Sequence, residues 1–187
     1  DPLTSQQGSA KAFIERLYYV LQQNTIQSFD TRASILDMVS KLITNHTGPT
    51  GLPGTVDEIV GPLPTLWAAS KDQNLLRTSI LTILTEIVIA VGTSSNDAER
   101  VHLQVLPLVQ YATNKKNGES IYLADEGFKL WKAIMQHLIA YTPGIHQLFS
   151  NIVVMLNHDF DHTEDCCSLM ESYVCAGGVT FITAYSN

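Results

Sequence analysis

Cysteine is nearly missing from this sequence: three residues in 187, all at positions 166, 167 and 175. Neighbouring cysteines rarely bridge each other, so a spaced disulfide framework is excluded and a reducing, intracellular compartment is expected. Charged residues are also scarce, at 16%, while hydrophobic residues make up 45%. That balance excludes an intrinsically disordered chain. Positive charge is the scarcer sign, with 11 Lys and Arg against 18 Asp and Glu and a net charge of −7. Direct binding to a nucleic-acid backbone is therefore not expected, and the complementary partner is a basic one. Long apolar runs are missing as well. The longest, 80–91, is broken by Thr82, Thr85 and Glu86, so a membrane span of about 20 apolar residues is not expected and a soluble chain is. No basic, apolar leader stands at the start. The first residue is not Met, and the closing GGVTFITAYSN reads as the opening turns of an unfinished helix. A piece of a longer protein is expected.

What is present is helical periodicity, with apolar residues recurring at three and four positions nearly everywhere. The pattern predicts helices over 10–23, 30–44, 55–70, 72–91, 97–113, 121–139, 143–157 and 163–175. The first presents Phe13, Leu17, Val20 and Leu21 to a core, and the second presents Ile35, Met38, Val39, Leu42 and Ile43. Asp30 with Thr31 reads as the N-cap of the second. Between them and the third lies NHTGPTGLPG, with three glycines and two prolines in ten residues. Pro62 and Pro64 predict a kink or split in the third helix, and Pro107 lies inside the fifth. The fourth buries Leu76, Ile80, Ile83, Leu84, Ile87 and Val91; the sixth buries Phe128, Trp131, Ile134, Met135 and Leu138. Pro143 opens the seventh, and Gly177–Gly178 stops the eighth before a further helix starts.

Alternate helices begin near residues 30, 72, 121 and 162, at separations of 42, 49 and 41. Helix-pair repeats of the HEAT and armadillo kind have a period of about 40–47 residues, whereas tetratricopeptide repeats have about 34. The expected fold is all-α, a HEAT-repeat solenoid forming one array over 1–187. Its approximate repeats are 9–46, 55–92, 97–139 and 143–175, with the start of a further helix at 178–187.

The segments LPTLWAASKDQNLLRTSILTIL, LQVLPLVQYATNKKNGESIYLADEGFKLW, PGIHQLFSNIVVML and ESYVCAGGVTFITAY carry a resemblance over roughly 62–185. On them the chain resembles the importin-β (karyopherin) family of nuclear transport receptors, with IYLADEGFKLW specific to one branch of it. The resemblance implies a superhelix that holds protein cargo and the small GTPase Ran on its concave face, shuttling between cytoplasm and nucleus. It places this stretch past the middle of a receptor, with the main Ran surface in other repeats, and adds nucleoporins to the partners. It implies no enzyme and no cofactor. The rival readings are a HEAT scaffold of another class, phosphatase-regulatory or trafficking, and a helical metalloenzyme.

The metalloenzyme reading would draw on NHDFDHTEDCC, where His158, His162 and Cys166 stand among Asp159, Asp161, Glu164, Asp165 and Cys167. The structural reading of the same run is a loop with Asp161 and Thr163 capping the eighth helix and both vicinal cysteines facing the core. Zinc sites space their cysteines two or more apart, so no metal is expected. Cys166 near His162 has no third residue to orient a base, and GPTGLPG lacks the lysine of a phosphate loop. Asn45-His46-Thr47 is a glycosylation triplet in the wrong compartment. Trp67 and Trp131 are expected in the core. The candidate partner-binding residues are therefore the polar stripes of the even helices: Asp37 and Lys41 (with Asp30 and Ser34), Thr82 and Glu86 (with Thr78), Asp125, Lys129, Lys132 and Gln136, and Glu164 and Glu171 (with Ser168).

Overall fold

A computed structural model describes residues 2–23, 28–46, 56–93, 95–158 and 160–185. Among them there are nine helices and no strand: α1 (Pro2–Gln22), α2 (Phe29–His46), α3 (Val56–Val60), α4 (Leu63–Ala69), α5 (Asn74–Val91), α6 (Ser95–Thr113), α7 (Ser120–Gln136), α8 (Pro143–His158) and α9 (Thr163–Ala184). Much of the Gly/Pro-rich loop, Thr47 of the glycosylation triplet, and Asp159 lie outside the described residues. Helices α2, α5, α7 and α9 start 45, 46 and 43 residues apart, a tighter period than the sequence separations suggested. The chain falls into two compact units, 1–91 and 92–187.

Helix ends in the first unit follow local chemistry. The Ser28 hydroxyl accepts the Thr31 backbone N–H at 3.3 Å, so the cap of α2 is Ser28 and not Asp30. Asp30 instead lies in the first turn, where a carboxylate meets the positive end of the helix dipole. The third predicted helix is split in two. Gly61 N–H still reaches Asp57 C=O at 2.9 Å, but Pro62 has no N–H and its ring clashes with the carbonyl four residues back. Pro64 fits the first turn of α4, where its missing donor costs nothing. Asp72 has φ 65° and belongs to the turn, so α5 starts at Asn74 rather than 72.

In this unit α1 packs on α2 and α3, and α5 packs on α2 and α4. The buried face of α1 is Ala10, Ile14, Leu17, Tyr18 and Leu21, while Phe13 is 49% exposed and Val20 half-buried. The expected stripe was rotated by one position, because Tyr18 enters the core by donating its hydroxyl to Ile59 C=O at 2.9 Å. Burial pushes that phenol well above its ordinary pKa. On α2, Leu36 is buried while Met38 is exposed and Leu42 half-buried, against expectation. Helix α5 is buried on most sides, through Leu76, Ile80, Leu81, Ile83, Leu84, Ile87, Val88 and Val91. Both α5 and α9 are long and apolar enough to cross a membrane by length and composition alone, a test that the core helix of a soluble protein also passes. In α5 two of the three polar interruptions are satisfied within the helix, since Thr82 and Thr85 donate to the carbonyls one turn back, and the apolar surface forms the core. Trp67 is only half-buried, roofed by the Arg77 guanidinium 4.9 Å from its ring centroid, and is no core anchor.

In the second unit α6 packs on α7 and α8, and α9 packs on α7 and α8. This gives two layers, α6 with α8 and α7 with α9, the arrangement of stacked helix pairs. The fold class is all-α, of the HEAT-repeat kind. Trp131, Phe128 and Tyr173 fill the core. Trp131 Nε1–H donates to the Tyr173 hydroxyl at 3.2 Å, and that hydroxyl donates to Ile145 C=O at 2.6 Å, so one oxygen ties α7, α8 and α9. Helix α7 ends at Gln136, three residues early, and Leu138 is half-buried beyond it. Thr142 accepts Ile145 N–H at 3.3 Å and Pro143 opens α8 as expected. The doublet Gly177–Gly178 separates the eighth predicted helix from a further one, as expected. Gly178, at φ 50° and ψ −132°, joins two helical pieces of α9 across a kink. Beyond the kink, Phe181 is buried against Phe149, Tyr173 and Tyr141 at ring separations of 4.7, 5.6 and 6.5 Å. Tyr141 is pushed up to about 12, first by burial and then by Tyr185.

His102 on α6 is buried, and its pKa is lowered by desolvation and secondarily by His137. The folded state thus binds this proton less readily than the unfolded chain, and stability falls as pH drops below about 6.5 toward the lower folded-state value. Urea titrations between pH 4.5 and 7.5 are expected to give a slope of up to about 1.4 kcal/mol per pH unit from this one group. His102→Leu is expected to remove that component, and an unchanged slope would assign the acid sensitivity elsewhere.

Candidate partner-binding surface

The expected polar stripes fall into two sets. In the first unit Asp37 and Lys41 are exposed on α2 and paired with each other at 2.6 Å. Such an i,i+4 pair in solvent contributes about 0.3–0.5 kcal/mol and leaves little charge for a partner. On α5, Thr82 is exposed and Glu86 half-buried, and the Thr82 hydroxyl is turned onto Thr78 C=O at 3.0 Å.

The second unit gathers the rest. Asp125, Lys129 and Gln136 are exposed along one side of α7, Lys132 is half-buried, and Glu164 and Glu171 are exposed on the neighbouring α9. The stripe residues are joined crosswise. His162 Nε2 meets Asp125 Oδ1 at 2.8 Å while its ring stacks on Phe128, with centroids 5.0 Å apart. The Lys132 ammonium donates to Asp165 Oδ1, also between α7 and α9. Lys129 turns to Glu126 at 2.9 Å, and that hydrogen bond with its charge raises the lysine's pKa. Two contacts thus hold α7 to the start of α9 along the stripe, and Glu164, Glu171 and Gln136 stand outside them. Sequence reasoning did not place His162 or Asp165 on this surface. The available signal was their distance of 37 and 33 residues from Asp125 and Lys132, somewhat short of one repeat.

The run containing His158, His162 and Cys166 does not converge. His162 is engaged with α7, Cys166 is buried and Cys167 exposed, so the vicinal thiols point apart rather than both facing the core. No group of three His, Cys, Asp or Glu side chains among the described residues could hold a metal ion. The expected caps differ too. The residue at the N-cap of α9 is His162, without a side-chain cap bond, and Thr163 donates its hydroxyl backward to Phe160 C=O at 2.9 Å.

Residues 78–187 match the family described as "Importin-11-like, TPR repeats". The chain belongs to the importin-11-like family. That description speaks of TPR repeats, and the helix pairs found here have the longer HEAT-like period. Curated relatives agree with the match. Importin-11 of Mus musculus and of Homo sapiens are each 26% identical over 170 residues, covering 91% of this chain and 17% of theirs. Importin beta-like protein KAP120 of Saccharomyces cerevisiae is 23% identical over 146 residues, covering 76% of this chain and 14% of its own. The chain therefore spans about one-sixth of the length of the importin-11 relatives it matches. No solved structure matches it. The importin-11-like family is one of nuclear transport receptors.

Proposed function

We propose that this importin-11-like chain forms part of the wall of a nuclear import receptor, carrying protein cargo from cytoplasm to nucleus and releasing it when Ran-GTP binds. The family match over 78–187 carries the reading. The two-layered packing of α6–α9 supports it, since stacked helix pairs touch mainly their neighbours, and small rotations between pairs sum to a change in curvature. Ran and cargo then compete through that curvature, as two ligands linked by one conformational equilibrium. In this reading the repeats are bounded near 9–46, 55–92, 97–139 and 143–175, Ran binds mainly through other repeats, and nucleoporins are contacted in transit. Cargo meets the α7–α9 face, at Glu164, Glu171, Gln136 and the Asp125 end of the stripe.

The test is a pull-down from cell extract with the intact protein, with and without Ran locked in its GTP form. Partners released by Ran-GTP are expected, and Asp125→Lys with Glu171→Lys is expected to weaken at least one of them. Partners indifferent to Ran, or a Ran that does not bind, would overturn the transport reading in favour of a HEAT scaffold of another class.

A further inference from the structure

We propose that His102 of α6 and the connection between α7 and α8 (137–142) form a proton-sensitive latch. A neutral His102 lets the connection close over it, and a proton taken up there opens the connection while the rest of the second unit stays folded. This goes beyond the transport reading and does not depend on it.

His102 is 6% exposed, and its Nε2 is buried with no hydrogen-bond partner among the described residues. Nearly all buried polar atoms in folded proteins have one. The imidazole borders a cavity with about 20 Å³ of room, enough for one water. Glu99, Leu103 and Leu106 of α6 share that cavity with Leu138, Ile139 and Thr142 of the connection, and Ile145 of α8 completes it. Leu106 and Ile145 are buried, but Leu103 and Ile139 are 57% and 44% exposed, so the apolar seal toward solvent is partial.

The connection is bonded to its own ends and not to α6. His137 N–H donates to Ala133 C=O at 3.1 Å. At the other end the Thr142 hydroxyl accepts Ile145 N–H at 3.3 Å and its carbonyl accepts His146 N–H at 3.0 Å. The Tyr141 hydroxyl meets His146 Nδ1 at 2.9 Å, again toward α8. Among the described residues no hydrogen bond joins 137–142 to α6, so apolar packing alone holds the connection over His102. Segments held in this way open at lower cost than the helices around them.

Few charged groups face His102. On its own helix Glu99 lines the cavity one turn back and is exposed. From the end of α7, His137 adds a second imidazole, whose charge reinforces desolvation in disfavouring a proton on His102. From α8, Ile145 reaches the cavity without charge, and the His146 ring is engaged by Tyr141 and stacked on Tyr185. An open connection hydrates the ring, which then titrates near the usual 6.5 or so of a histidine. Opening therefore binds a proton, and becomes easier below about pH 6.5 by up to about tenfold per pH unit until the closed form is protonated too. The connection joins the α6–α7 pair to the α8–α9 pair, so the latch sits where one helix pair is set against the next.

The test is amide hydrogen exchange of the full 187-residue chain at pH 7.5 and 5.0, with the intrinsic pH dependence of exchange divided out. Protection over 137–146 is expected to fall about tenfold or more, while the interiors of α7 and α8 keep theirs. His102→Gln, which stays polar but cannot titrate, is expected to abolish the fall, and His137→Gln to reduce it. If His102→Gln does not fold, the His102 ring proton followed by NMR in the unsubstituted chain decides instead, since its titration and the loss of protection must share a midpoint. Equal protection at the two pH values, a fall shared by the whole second unit, a fall that persists in His102→Gln, or two different midpoints would each overturn the latch.

Discussion

Trp131→Ala is expected to destabilise the second unit by about 3–5 kcal/mol, the usual cost of removing a fully buried large aromatic side chain. Trp131 is 0% exposed and packs between Phe128 and Tyr173, with ring centroids 6.0 and 6.1 Å away. Its removal leaves a cavity that three helices would have to close, and it also leaves the Tyr173 hydroxyl without the indole donor. The companion variant Tyr173→Phe separates the two contributions. It keeps the ring but leaves the buried Trp131 Nε1–H without its acceptor, and an unpaired buried group costs about 1–3 kcal/mol. Guanidinium titrations followed by near-ultraviolet circular dichroism would measure both. A Trp131→Ala loss below about 1 kcal/mol would mean that this unit is not organised around the α7–α8–α9 junction.

Gly127→Val is expected to be nearly as damaging, at about 3 kcal/mol, the upper end for overpacking a tight core. A Cβ on Gly127 would lie 2.8 Å from Ala112 Cβ and 3.1 Å from Thr113 Cγ2. Neither neighbour can swing aside: Ala112 has no side-chain torsion to adjust, and Thr113 is buried with its hydroxyl bonded to Val109 C=O at 2.8 Å and to Asn151 Nδ2 at 3.0 Å. Helices α6 and α7 would have to separate, and the strain would reach α8 through Asn151. Glycine in mid-helix is otherwise worth about 1 kcal/mol less than alanine, so Gly127→Ala sets the propensity gain against the clash and should be destabilising by less. If Gly127→Val instead left the melting temperature unchanged, the close approach of α6 and α7 would not be a determinant of stability.

Helix existence was legible because each helix writes its buried face into the chain at three- and four-residue spacing, and a breaker such as Pro62 acts locally. The rotational setting of a helix was less legible. Phe13 and Ile14 are both apolar, and only the demand of Tyr18 for the Ile59 carbonyl decides which of them turns inward. The helix ends failed in the same way. Ser28, Asp30 and Thr31 are all competent caps, and the choice among them depends on where the incoming chain allows an oxygen to reach an N–H. For the candidate surface, the sequence supplied the stripe on α7, since residues four apart share a face. It could not supply His162 and Asp165 as partners of Asp125 and Lys132, because the offset between adjacent helices is a property of packing.

The sequence by itself determined that this chain is all-helical, that its helix pairs recur at a HEAT-like period, and which family it belongs to, since these follow from local periodicity, breakers and motif identity. Only the tertiary structure decided that His162 and Asp165 meet Asp125 and Lys132 of α7, that Gly178 bends α9 so that Phe181 is buried, and that Ile121, Tyr122 and Phe160 stay exposed. The physical reason is that burial and pairing depend on which surfaces meet across sequence separations of about 30–40 residues, and no local spacing rule reaches that far.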